Sequence, residues 1–87
     1  MSAAEDATMK TAARIDVLLS TLNATDVGTL DCIREKMRLV EEELREMEQP
    51  ELAERAAATL AALTRGDMAE WKRGRAFLQS KIGHLRR

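Results

Sequence analysis

Eighty-seven residues allow a single domain with a thin core. With 45% apolar and 33% charged residues, disorder from low hydrophobicity is excluded. Four Gly, one Pro and 2% aromatics leave too little turn punctuation for a sandwich or barrel. Ala, Leu, Glu and Arg, all good helix formers, dominate. The class expected is all-α: a bundle of three to four antiparallel helices in one domain, residues 1–87.

The net charge of −1 conceals an uneven distribution. Residues 1–30 carry −2 and residues 31–64 carry −4, whereas residues 65–87 hold seven bases against two acids, or +5. An acidic middle and a basic end must be accounted for by any function.

The first helix is expected over residues 3–23. Ser2-Ala3-Ala4-Glu5 has the form of a capping box, and Ala12, Ile15, Leu19 and Leu22 recur on one helical face. Asn23-Ala24-Thr25-Asp26 ends that pattern, with Thr25 or Asp26 expected as the next N-cap.

The second helix, residues 27–48, carries the clearest signal. Leu30, Ile33, Met37, Val40, Leu44 and Met47 alternate by three and four residues without a miss, a seam that suits a helical hairpin or a coiled coil. Pro50, tolerated at the first helical position but costing about 3 kcal/mol in an interior, is expected to mark a break and open a third helix over 51–64, with a kinked continuous helix as the alternative. That helix has the stripe Leu52, Ala56, Leu60 and Leu63 among many other alanines.

Gly66 suits the left-handed residue after a helix end. Asp67, followed by Glu70, then caps a fourth helix over 68–85. Its stripe is Trp71, Gly74, Leu78, Ile82 and Leu85, with Phe77 flanking. Gly74 within an apolar stripe implies a close approach, with the alanine-rich third helix as the expected neighbour.

The chain offers little for chemistry. Cys32 is the one cysteine, so no internal disulfide forms, which suits a reducing cytoplasm. His84 is the one histidine, and there is no Cys-x-x-Cys and no Gly-rich phosphate loop. Neither a metal site, a cofactor nor an enzyme is expected. The N-terminal residues lack the basic-then-apolar order of a signal peptide. The longest uncharged runs are nine residues, Val17–Thr25 and Ala56–Thr64, against about 20 for a membrane span. Cys32, one residue off the seam, is expected to be a small buried hydrophobe, and His84 a helix-end residue.

The function expected is therefore recognition: a small cytoplasmic adaptor, assembly factor or regulatory subunit that binds a protein partner and self-associates, with a dimer favoured. The seam Leu30, Ile33, Met37, Val40, Leu44 and Met47 would form the interface, Trp71 would anchor it, and Arg73 and Arg75 would match charge. An acidic second helix and a basic fourth would attract when side by side, within one chain or between two. One alternative reads the last two helices as a helix-turn-helix, with Lys72, Arg73, Arg75 and Gln79 facing nucleic acid. Another, from size and helicity alone, is a secretion-system co-chaperone.

Overall fold

The computed structural model describes the backbone of residues 3–85 and the side chains of residues 12–85. The described residues form four α-helices: α1 (Ala3–Asn23), α2 (Leu30–Glu46), α3 (Pro50–Thr64) and α4 (Met68–His84). Ser2 of the expected capping box and the terminal Arg86 and Arg87 lie outside the described residues.

The junctions are fixed by local chemistry. After α1 the chain makes a 3-10 turn, Ala24–Asp26, in which the Thr25 hydroxyl donates to the Leu22 carbonyl at 2.6 Å. Val27 is extended and Gly28 has φ +112°, so α2 cannot begin until Leu30. Its N-cap is Thr29, which accepts from the Cys32 amide at 3.2 Å, and not Thr25 or Asp26 as expected.

At the end of α2 the Gln49 amide donates to the Leu44 carbonyl and the Glu48 amide to that of Arg45, which places Glu48 at φ +60°. The same pair of bonds closes α3, from Asp67 to Ala62 and from Gly66 to Leu63, with Gly66 at φ +83°. Pro50 opens α3, and the Asp67 carboxylate accepts from the Glu70 amide to open α4, both as the sequence implies.

Each helix touches two others, in the cyclic order α1–α2–α3–α4–α1. Neighbours run antiparallel. Arg14 near the middle of α1 pairs with Glu43 and Glu46 near the end of α2, while Lys36 reaches back to the Ala24 carbonyl. In α4, Gln79 bonds Asn23 and Arg75 bonds Thr25, one α4 turn nearer its start.

The core is Ile15, Leu18 and Leu22 from α1, Met37, Val40 and Leu44 from α2, Ala53, Ala56 and Leu63 from α3, and Trp71, Leu78 and Ile82 from α4. Leu18 joins it where Leu19 was expected; Leu19 is half-buried at its edge. The small residues of α3 let α4 approach, and Gly74 packs directly on Thr59. Contact continues along the pair from Gly74–Thr59 to Phe77–Arg55, the arrangement of an antiparallel hairpin and not of a crossed helix-turn-helix.

The cyclic order excludes the within-chain form of one electrostatic expectation. Among the described residues, the acidic α2 and the basic α4 lie across the diagonal and make no contact. Ion pairs between elements instead include Arg14 with Glu43 and Glu46, Arg55 with Glu70, and Arg75 with Asp26.

Candidate functional site

The α2 seam is used within its own chain. Met37, Val40 and Leu44 have no exposed surface, and Ile33 and Met47 pack half-buried against the core. Only Leu30, at the start of the helix, stands in solvent. A partner cannot reach the three central seam residues while the bundle is closed. Trp71 is likewise core, 5% exposed, and cannot serve as an exposed anchor.

The cationic residues divide into two groups. Arg75 turns inward on α1: its Nε donates to the Thr25 hydroxyl at 2.8 Å and its Nη2 pairs with Asp26 at 2.7 Å and reaches the Asn23 carbonyl at 3.3 Å. Gln79 donates to Asn23 Oδ1 at 2.7 Å. Both therefore fasten α4 to the end of α1 and are not presented to a nucleic-acid groove. Lys72 and Arg73 are exposed, with Arg73 held by Glu70 at 3.1 Å. Cys32 is exposed, contrary to expectation, because α2 begins late and its first turn projects past the core. His84 is exposed in the last turn of α4.

What the sequence reading did not single out is a groove between α1 and α2, about 410 Å³ in volume. Val17 and Leu39 line its walls, 66% and 50% exposed, with Ala13 and Thr21 beside Val17. Leu18 and Val40, both buried, form its floor. Glu42, Glu43 and Glu46 edge it on the α2 side and Arg14 on the α1 side.

Arg14 bonds Glu43 through Nε and reaches Glu46 through Nη2 at 3.3 Å. The hydrogen bond to Glu43 holds the guanidinium pKa above its ordinary value, partly opposed by desolvation and reinforced by the charges of Glu43 and Glu46. Three carboxylates against one guanidinium leave the groove edge at −2. This is an apolar channel with an acidic margin on its α2 side.

A faint signal for this groove exists in the chain. Val17-Leu18-Leu19 puts three large apolar residues in succession, and since successive positions point about 100° apart, one must face away from the core. Leu39 is the large aliphatic residue of α2 that departs from the seam, and it sits among charged neighbours.

On the opposite edge of the bundle Phe77 is 39% exposed. Its ring lies 4.9 Å from the Arg55 guanidinium carbon and 5.7 Å from Lys81 Nζ. Among the described residues, no helix is long and apolar enough to cross a membrane. Comparison with known proteins assigns no kinship: no protein-family model, no curated protein and no solved structure matches the chain.

Proposed function

We propose that this chain is a non-enzymatic helical interaction module, a small cytoplasmic adaptor, assembly factor or regulatory subunit, whose binding face is the α1/α2 groove. The observation that supports this is the pair Val17 and Leu39, each at least half exposed and set above the apolar floor of Leu18 and Val40. Apolar surface rimmed by charge is the usual composition of a protein-binding patch. The partner chemistry that fits is an amphipathic helix with basic flanks. The interface thus moves from the seam itself to the flank of the seam helix.

The test is affinity capture of the tagged protein and of its Leu39→Glu variant from cell lysate, with and without nuclease. A partner retained by the wild type in both conditions and lost by the variant supports the reading. Recovery of nucleic acid that depends on Lys72 and Arg73, and weakens steeply with salt, would overturn it in favour of a nucleic-acid-binding regulator.

A further inference from the structure

The basic-flanked apolar helix that this groove fits is carried by the chain itself. The outward face of α4 exposes Lys72, Arg73, Ala76, Phe77, Ser80 and Lys81. Phe77 and Ala76 supply apolar surface, Lys72 and Lys81 flank them with Arg73 between, and Glu70 offsets part of that charge through its pair with Arg73. Within one molecule this face and the groove cannot meet. In the cyclic order the α1/α2 edge and the α3/α4 edge are opposite sides of the bundle. The attraction between an acidic second and a basic fourth helix is therefore unsatisfied inside the chain.

We infer that a second copy of this chain occupies the groove, its α4 face with Phe77 lying over Val17 and Leu39 and the cations of that face set toward the acidic margin of Glu42 and Glu46. This rests on the groove being the binding face. Charge decides the geometry. A two-fold pairing, groove on groove, would bring two acidic margins together, which repels; groove on α4 joins unlike charges. Because the two faces are on opposite sides of the molecule, the contact is head-to-tail and does not close on two copies.

Its size decides the strength. The 17 residues of α4 span about 25 Å, and a strip two helices wide covers roughly 500 Å² per copy. About 1,000 Å² in total is the low end for a specific interface, so association is weak and concentration-dependent.

The experiment is sedimentation of the purified full chain from about 10 μM to 1 mM, at ionic strengths of about 0.05 M and 0.5 M. The expected result at low salt is an average mass that climbs from 9.7 kDa past that of a dimer without a plateau, and returns toward 9.7 kDa at high salt. Two double variants test the polarity: Glu42→Gln with Glu46→Gln, which keeps only the α4 face, and Lys72→Gln with Lys81→Gln, which keeps only the groove. Each alone should remain monomeric, and an equimolar mixture should form a dimer and stop there.

A constant 9.7 kDa over the whole range overturns the inference, as does a dimer indifferent to salt or a mixture that stays monomeric. Should the chain prove monomeric while Leu39→Glu still abolishes partner capture, the groove stands as the binding face and only the second copy as its occupant fails.

Discussion

Gly74 of α4 and Thr59 of α3 meet so closely that a Cβ added to the glycine would lie 2.2 Å from the threonine Oγ1 and 3.0 Å from its Cβ. Thr59 is buried, and its hydroxyl is held by donation to the Arg55 carbonyl at 2.7 Å. Gly74→Ala should gain about 1 kcal/mol of helix propensity. The overpacking should cost more, about 1–3 kcal/mol. A net loss of stability is expected in urea melts. Adding Thr59→Ala, which removes the two nearest atoms, should recover most of that loss. Simple additivity of the two substitutions would refute the steric account.

Arg75 should contribute more to stability than any other surface-derived cation. Its side chain is 18% exposed and it closes the end of α1 through bonds to Thr25, Asp26 and the Asn23 carbonyl. Arg75→Ala is expected to lower unfolding free energy by about 1.5–3 kcal/mol, because the buried Thr25 hydroxyl is left without its charged donor. Asp26 is 66% exposed, so Asp26→Asn should cost under about 1 kcal/mol. Denaturant midpoints of the two variants check the contrast; equal losses would mean that the ion pair, and not the buried hydrogen bonds, dominates.

Met37 and Leu39, two positions apart on α2, should behave oppositely. Met37 is fully buried, and Met37→Ala should destabilise the bundle by about 2–5 kcal/mol. Leu39 is half exposed, and Leu39→Glu should leave the fold within about 1 kcal/mol while removing the groove wall. Thermal melts and partner capture, measured together, separate the two effects.

Glu48 is the one described non-glycine residue with positive φ. It ends α2 with the bonding that Gly66 provides for α3. Glu48→Gly should therefore stabilise the protein by about 0.5–1 kcal/mol, and Gly66→Ala should destabilise it by a similar amount or more. An unchanged melting temperature in the first variant would show that Glu48 gains elsewhere what its backbone loses.

The helices were legible because their ends are written in short-range chemistry. Pro50, Gly66 and Asp67 each act within a turn of their own position, and the structure places all three as that chemistry requires. Gly74 gave away a close approach because a glycine in an apolar stripe has no local reason to be there. The cyclic order of the helices was not legible. Charge made α2 and α4 look like neighbours, yet core packing sets the order and leaves them on the diagonal.

The candidate site was hidden for a related reason. An unbroken seam looks the same whether its partner is a second chain or the rest of its own, and here Met37, Val40 and Leu44 have the rest of their own chain around them. The exposed residues Val17 and Leu39 follow no period, so no periodic signal marks them. Arg75 and Gln79 looked like a groove-facing pair because the sequence could not show that the end of α1 lies against them.

The cyclic order also carries an expectation for the route by which the chain reaches its native state. Three of its four helix–helix contacts join consecutive helices, and only α4 against α1 requires distant parts of the chain to meet. Such local topology folds fast, on the microsecond-to-millisecond scale. The α2–α3–α4 unit can assemble through its two short turns, leaving α1 to dock last through Leu22 and the Arg75 bonds. Leu22→Ala should then speed unfolding much more than it slows folding, whereas Ala56→Gly in α3, the middle helix of the early unit, should slow folding itself.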